Sequence, residues 1–230
     1  MHIEIPLVTP MGFPVRTLGV WVSGGADSAL MLYLLCKQIK DGNLPIKVQP
    51  CIVDYKRPYQ NIGYNIAKKV QEILMCDDTI LEPQVYNPPG DTVWTPDELK
   101  QQFKDINYIN FKNDHIQVLY TGTTLNPPQS VQEQFEYGVL NDIEAVRGRD
   151  VPKQIKKYSV HTEGSMTREF IEIRPFLETD KQAIAQLYKQ HNLMDNLFPL
   201  TRSCEELYTV TGHCGHCWWC EERLWGFNTL

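Results

Sequence analysis

The stretch VWVSGGADSALMLYLL, residues 20–35, indicates how this chain begins to fold. It opens with an apolar run typical of a buried strand, turns at Gly24 and Gly25, and continues with leucines at helical spacing. Paired glycines let backbone N–H groups face an anion, and the N-terminus of a helix adds a favourable dipole. The stretch therefore predicts a strand, a loop that can cradle an oxyanion, and a helix.

The side chains of this loop leave two interpretations open. Asp27 and Ser28 stand where the familiar phosphate-binding loop carries a lysine. In one interpretation the glycines form a tight connection and Asp27 or Ser28 caps the helix, as these residue types often do. In the other, the loop holds phosphate groups in a way that requires no lysine.

The rest of the chain alternates between strand and helix patterns. A helix is predicted over about residues 60–75, where isoleucines and a valine recur at helical spacing. Pro83 weakens the third of the predicted strands. Strands that alternate with helices predict an α/β fold with a doubly wound parallel sheet. The predicted strands are 17–22, 48–55, 79–86, 116–122 and 169–176.

Two polar, proline-bearing segments interrupt this alternation, near residues 87–115 and 126–168. Such segments occur as coverings of active sites on α/β sheets, and equally as ordinary surface insertions. We expect one domain over residues 1–200 that contains both segments. A small C-terminal module over residues 201–230 is expected to pack on the same domain.

Composition and charge restrict the class of protein. At 230 residues, of which 42% are hydrophobic, the chain can form one α/β domain with a large core. No apolar run approaches the roughly 18 residues of a membrane span, and residues 1–20 do not have the basic start and apolar stretch of a signal peptide. The net charge of −6 disfavours nucleic acid as a partner. We expect a cytoplasmic protein that binds no membrane, and a homodimer is compatible with the chain.

The cysteines are concentrated near the C-terminal end. Four of the seven have the spacing C-x9-C-x2-C-x2-C, and in a reducing compartment such clustering favours a metal site over disulfides. Cysteines three apart on a turn, with a fourth from a loop, give the closed thiolate tetrahedron of structural zinc. His213 and His216 are alternative ligands by composition, although four thiolates already complete the set. The predicted ligands are Cys204, Cys214, Cys217 and Cys220.

An iron–sulfur cluster is the competing interpretation of these cysteines. The spacing C-x2-C-x2-C also begins the bacterial ferredoxin run, which continues with another cysteine followed by proline. In this chain Cys220 is followed by Glu221, Glu222 and Arg223. The residues after the last cysteine therefore favour Zn2+.

The string SGGADS, residues 23–28, resembles the SGGxDS signature of the PP-loop ATP pyrophosphatases, including the strand before it and the helix after it. The resemblance implies ATP and Mg2+ as ligands. That family holds the β and γ phosphates as a leaving group while a substrate oxygen attacks the α phosphorus. The lysine of the phosphate loop, which serves attack at the terminal phosphorus, is then not required. By resemblance Asp27 and Ser28 are catalytic, Asp27 orients the magnesium ion, and the nucleotide-binding residues are Ser23, Gly24, Gly25, Ala26, Asp27 and Ser28.

The loop and the cysteine tail together resemble the 7-cyano-7-deazaguanine synthase family of PP-loop enzymes. The resemblance implies an ATP-dependent carbon–nitrogen ligase whose substrates are a small heterocyclic carboxylate and ammonia. In that family's reaction 7-carboxy-7-deazaguanine is adenylated and converted with ammonia, through the amide, to the nitrile preQ0, with release of AMP and pyrophosphate. The strings that carry the resemblance are VDY at 53–55, DK at 180–181, TRSC at 201–204, HCGHC at 213–217 and ERLWGF at 222–227.

Two departures from that family's pattern leave other functions open. VDY continues into Lys56 and Arg57 instead of Gly-Gln-Arg, and the segment after Gly122 lacks the family's Tyr-Pro-Asp-Cys-Arg string. A second hypothesis is therefore a PP-loop enzyme that adenylates a different carboxylate, or a tRNA base for amine or sulfur transfer. A third is a non-enzymatic zinc module on a decayed nucleotide-binding fold, which the intact SGGADS string disfavours.

Overall fold

Strands and helices alternate along the part of the chain that the computed structural model describes, which is residues 1–53, 61–86, 115–135, 155–161, 167–204 and 212–230. The strands are β1 (Thr17–Trp21), β2 (Lys47–Val53), β3 (Gln84–Tyr86), β4 (Val118–Tyr120), β5 (Ile155–His161) and β6 (Thr167–Ile173). The helices are α1 (Ala26–Asp41), α2 (Ile62–Leu74), the short α3 (Gln129–Gln132), α4 (Lys181–Gln190) and α5 (Trp218–Phe227), with a 3-10 turn at Phe198–Leu200.

The strands pair in the order β3-β2-β1-β4-β6-β5. Each neighbouring pair in the series β3-β2-β1-β4-β6 is parallel. The remaining strand, β5, pairs antiparallel with β6 at one edge of the sheet. From β1 the chain proceeds to β2 and β3 on one side and then returns to β4 on the other, so the strand order reverses between β1 and β4. The predicted doubly wound parallel α/β sheet is confirmed. Its point of reversal is where ligands bind in sheets of this kind.

One strand is shorter than predicted, and another was not predicted. β3 begins only after Pro83, because proline has no N–H for the ladder, and upstream of it Ile80 makes an isolated parallel bridge to Val48. β5 lies inside the segment 126–168, for which the sequence predicted no strand. An edge strand tolerates charged residues such as the lysines of β5, so its sequence resembles that of a surface segment.

The domain boundaries and the cellular location stay predictions. The segment near 87–115 lies outside the described residues, apart from residue 115 itself. The division into a domain over 1–200 and a module over 201–230 likewise remains an expectation. In the described ranges, none of the helices combines the length and the apolar character needed to cross a bilayer.

Helix α1 lies at the centre of the hydrophobic core. A helix that is apolar on most of its faces must be surrounded by other elements. Its polar Gln38 fastens the N-terminal segment, since Ile3 N–H donates to Gln38 Oε1 and Gln38 Nε2 donates to the Ile3 carbonyl, both at 2.7 Å. Because α1 starts at the glycine loop, burial of the helix holds that loop in place relative to the sheet. Its most deeply buried side chains are Ala29, Leu30, Met31, Leu32, Leu35 and Cys36.

Candidate functional site

The glycine loop follows the carboxyl end of β1 and is organised by two serine hydroxyls. Gly24 has a φ of +92°, a conformation that side chains other than glycine rarely adopt. Ser28 Oγ donates to the Gly25 carbonyl at 3.1 Å and accepts from Ser23 N–H at 3.2 Å. The two serine Oγ atoms lie 3.2 Å apart, and Ser23 Oγ accepts from Gly25 N–H at 3.4 Å. The loop is therefore shaped by its own hydrogen bonds.

The start of α1 shows whether Asp27 or Ser28 caps the helix. The N-cap residue is Gly25, and no side chain caps it. Ser28 instead bonds within the loop, and the Asp27 carboxylate turns to a lysine of another helix. Neither Asp27 nor Ser28 caps the helix, so the first backbone N–H groups of α1 are not covered by a capping side chain.

Two distant segments of the chain pack against this loop. A Cβ added at Gly122, just after β4, would come within 2.8 Å of the Ser28 nitrogen and 2.9 Å of the Asp27 carbonyl carbon. The end of β4 therefore lies directly on the first turn of α1. On the other side, Arg202 N–H donates to the Gly24 carbonyl at 2.8 Å. The TRSC segment thus joins the loop to the cysteine tail.

Asp27 lies in a buried group of charges that sequence reasoning missed. Its Oδ2 pairs with Lys181 Nζ, and Lys181 Nζ also lies 3.6 Å from Glu222 Oε2. Within the described residues, the buried Asp27 Oδ1 has no hydrogen-bond partner. In the sequence, Lys181 stood out only as part of the string DK, and Glu222 only as a residue after the last cysteine. No local pattern indicated that the three side chains meet.

The four predicted metal ligands come together in the structure. Their Sγ atoms all lie within 4.8 Å of one another, and those of Cys214 and Cys220 are 3.8 Å apart. Cys217 precedes α5 as its N-cap residue, and Cys220 lies in the first turn of that helix. Two backbone N–H groups point at sulfur: Cys214 N–H donates to Cys204 Sγ at 3.4 Å, and Cys217 N–H donates to Cys214 Sγ at 3.3 Å. Such donors stabilise thiolates.

The electrostatics of this cluster favour a bound cation. Burial raises the pKa of the Cys220 thiol above its ordinary value, and the neighbouring Cys217 and Cys204 raise it further. Four thiols this close cannot all ionise alone, because each thiolate repels the others. A metal ion reverses that balance, since its charge compensates the thiolates. The donor set therefore fits a thiolate-bound metal, and all four cysteines are free of disulfides.

His213 lies beside this cluster and accepts a hydrogen bond from the backbone. Ser203 N–H donates to His213 Nε2 at 3.4 Å. Burial lowers the pKa of His213 to about 4, and the cations Arg223 and Arg202 contribute to the decrease. The ring is consequently neutral at physiological pH, and it belongs to the support of the cluster rather than to the four converging ligands.

Arg223 of α5 fastens the segment that carries the first cysteine. Its guanidinium donates to Thr201 Oγ1 at 2.9 Å and to Ser203 Oγ at 3.4 Å, and it lies 3.9 Å from the centre of the Phe198 ring. Burial lowers the pKa of Arg223 to about 10, which leaves it charged at neutral pH. These contacts hold residues 201–204 between α5 and the glycine loop.

Comparisons with known proteins find resemblance in three-dimensional structure only. No protein-family model matches the chain, and no curated protein matches it in sequence. Among solved structures, the chain is similar to the U34-tRNA thiolase NcsA from Methanococcus maripaludis with its [4Fe-4S] cluster, with 14% identity and a TM-score of 0.48. The match covers 89% of this chain and 63% of the thiolase.

A second solved structure to which the chain is similar is an NAD+ synthetase from Burkholderia pseudomallei. The identity is 11% and the TM-score 0.38, and the match covers 94% of this chain and 76% of the synthetase. Both likenesses are too distant to assign an activity to this chain.

Proposed function

We propose that this chain is a PP-loop ATP pyrophosphatase that adenylates a heterocyclic carboxylate, with 7-carboxy-7-deazaguanine as the substrate. The observation that carries the proposal is the SGGADS loop at the reversal point of the sheet. Its hydroxyls shape the loop, its helix N-terminus has no capping side chain, and one oxygen of its aspartate pairs with Lys181. This arrangement suits a pyrophosphate leaving group and supplies no phosphate-loop lysine.

The residues present fit ATP with Mg2+. Backbone N–H groups at the start of α1 and the Ser23 hydroxyl are donors suited to phosphate oxygens, and the Ser28 hydroxyl becomes one when it releases the Gly25 carbonyl. Asp27 is the residue that would hold Mg2+, because its buried Oδ1 has no hydrogen-bond partner among the described residues and carboxylate oxygens are preferred magnesium ligands. When bound, the ion offsets charge on the pyrophosphate.

For the cysteine cluster, Zn2+ in a structural role is the proposed ligand. A Zn–S bond of about 2.3 Å in a tetrahedron places sulfur atoms roughly 3.8 Å apart. The Sγ atoms of Cys214 and Cys220 are 3.8 Å apart, and the whole set lies within 4.8 Å. A four-iron cluster puts its own iron and sulfide atoms between the thiolates and needs more widely spaced ligands. The compact set therefore supports a single ion.

In the proposed reaction, a carboxylate oxygen of the substrate attacks the α phosphorus of ATP, and pyrophosphate leaves. Ammonia then attacks the carboxyl carbon of the acyl adenylate, which expels AMP and gives the amide. A second ATP activates the amide oxygen in the same way, and loss of AMP with two protons leaves the nitrile. The protein contributes position and charge stabilisation.

The first test is the nucleotide product. Purified protein with ATP, Mg2+, ammonium and 7-carboxy-7-deazaguanine is expected to release AMP and pyrophosphate, which chromatography separates from ADP. Formation of ADP in place of AMP contradicts the PP-loop assignment. No nucleotide cleavage with any carboxylate supports the non-enzymatic module instead.

The second test follows product mass and AMP together over time. Two AMP are expected per nitrile, because each oxygen removed from the carboxyl carbon needs its own activation. Accumulation of the amide with one AMP indicates that only the first half-reaction is retained. AMP formation that requires a different carboxylate or a tRNA keeps the ATP chemistry and rejects the deazaguanine substrate. Light scattering of the same sample determines whether the chain is a homodimer.

A further inference from the structure

Three ionisable side chains from three helices meet in the interior between the glycine loop and the cysteine tail. Lys181 of α4 has 5% of its side chain exposed and lies between Asp27 of α1, with 17%, and Glu222 of α5, with none. Lysine and glutamate are rarely buried unless they are paired. Burial of these charges therefore costs free energy that the rest of the fold has to offset. Their position next to the glycine loop suggests that they have a role at that loop.

Helix α4 holds the start of α1 at two points. Lys181 is the first residue of α4, after Asp180, whose carboxylate accepts from Ala183 N–H at 2.8 Å and caps the helix. Two turns later, the Tyr188 hydroxyl donates to the Ala26 carbonyl at 2.8 Å. Burial raises the pKa of Tyr188, and the Asp27 charge adds to the increase, so the phenol remains a donor. The position of α4 thus sets the position of Asp27.

Helix α5 packs on the same lysine from the other side. A Cβ added at Gly226 would come within 2.5 Å of Lys181 Cβ and 3.0 Å of its carbonyl oxygen, so only glycine allows this approach. Glu222 lies one turn before Gly226 on the same face of α5. Cys220 is two residues before Glu222, and Cys217 is the N-cap of the helix. The cysteines that are proposed to hold a metal therefore also place the Glu222 carboxylate.

The charges in this group explain why two carboxylates share one ammonium. If Lys181 paired with Asp27 alone, it would neutralise the carboxylate that is proposed to face Mg2+. Glu222 lies 3.6 Å from the same ammonium on its other side, so Lys181 contacts two carboxylates and is not committed to Asp27 alone. Loss of Glu222 would leave Lys181 to Asp27 alone, since buried charges demand compensation.

We infer that Lys181 and Glu222 are positioning residues that couple metal occupancy of the cysteine cluster to nucleotide binding at the glycine loop. The inference rests on the proposed function. A bound metal holds α5, which holds Glu222 against Lys181, and Lys181 in turn fixes one oxygen of Asp27. By linkage, the metal changes nucleotide affinity by the same factor as the nucleotide changes metal affinity.

The experiment measures this factor in the full chain. The dissociation constant of an ATP analogue with a methylene bridge between the α and β phosphates is measured with Mg2+ in zinc-loaded and zinc-depleted protein. The zinc dissociation constant is measured by chelator competition with and without the analogue. Both ratios are expected to be equal and at least about fivefold, the lower range of allosteric coupling.

Substitutions then distinguish a positioning role of Lys181 and Glu222 from a general ordering of the cysteine tail by zinc. In Lys181→Met and in Glu222→Gln, both ratios are expected to fall to less than twofold while zinc stoichiometry is retained. Glu222→Gln keeps the shape of the side chain, so it carries the test where Lys181→Met fails to fold. Lys189→Met, at an exposed position of the same helix, is the matched control and is expected to keep the wild-type ratios.

Each outcome has a distinct meaning. Wild-type ratios near one, or variants that retain the wild-type ratios, overturn the inference and leave AMP formation untouched. Loss of coupling in both variants but not in Lys189→Met supports it. A wild-type protein that binds no nucleotide in either metal state overturns the proposed function itself.

Discussion

The glycine loop, residues 23–28, is built from backbone groups and two hydroxyls, whereas the cysteine cluster is built from side chains on two separate segments. Hydrogen bonds among Ser23, Gly25 and Ser28 shape the loop, and the buried helix α1 that follows it holds it in place. The cluster unites Cys204 with the three cysteines of 214–220, and its sulfur atoms repel one another once ionised. A site for an anion can be complete in the folded chain alone. A site of four thiolates is complete only with its cation.

The largest effect is expected from breaking the cluster. Binding of a structural zinc ion contributes roughly 10 to 16 kcal/mol to the order of a small element. Cys217→Ser is expected to lose the metal and to make the tail sensitive to protease. Elemental analysis and limited proteolysis measure both effects. Cys76→Ala, which removes a thiol outside the cluster, is the control and should keep the metal. Stoichiometric iron in the wild type would contradict the zinc assignment.

The second-largest effect is expected from substitutions in the glycine loop. Asp27→Ala and Ser28→Ala are each expected to reduce AMP formation by on the order of a hundredfold or more, because each removes a preorganised group that stabilises charge. The metal content of Ser28→Ala should not change, which separates the two sites. Asp41→Ala, at the exposed end of the same helix, is the matched control. Turnover of either loop variant within threefold of wild type argues against a catalytic loop.

A third, smaller effect tests the contact between the two regions. In Gly226→Ala the new Cβ would lie 2.5 Å from Lys181 Cβ, so α4 or α5 must shift. Overpacking of this kind costs about 1 to 3 kcal/mol, which denaturant unfolding measures. Leu224→Ala, 46% exposed on the same helix, should change the free energy of unfolding by about 0.5 kcal/mol or less. Equal stability of the two variants would mean that the helices are not tightly packed at Gly226.

The smallest effect is expected at Ser23. Its hydroxyl accepts one bond of 3.4 Å from Gly25 N–H and contacts Ser28 Oγ, so Ser23→Ala should cost about 0.5 to 1.5 kcal/mol of stability, a typical net value for one hydrogen bond. Thermal unfolding and AMP formation are measured side by side. A loss of turnover as large as that of Ser28→Ala would indicate that Ser23 contacts the phosphates as strongly as its neighbour.

Several features were predictable because they depend on residues close together in the sequence. The strand, loop and helix around SGGADS follow from local periodicity and paired glycines. The cysteine cluster follows from its spacing, since residues three apart on a turn converge wherever the turn lies. β5 was not predictable in the same way, because an edge strand tolerates charged residues and therefore lacks the apolar run of a buried strand.

From the sequence alone come the parallel α/β class, the glycine loop between strand and helix, and the convergence of the four cysteines. Each rests on a short pattern whose geometry is nearly independent of the rest of the chain. The tertiary structure was required to bring Asp27, Lys181 and Glu222 together, because these residues lie on three helices far apart in sequence. A charged residue is expected at the surface unless a partner is known. Only the packing of α4 and α5 against the start of α1 supplies that partner.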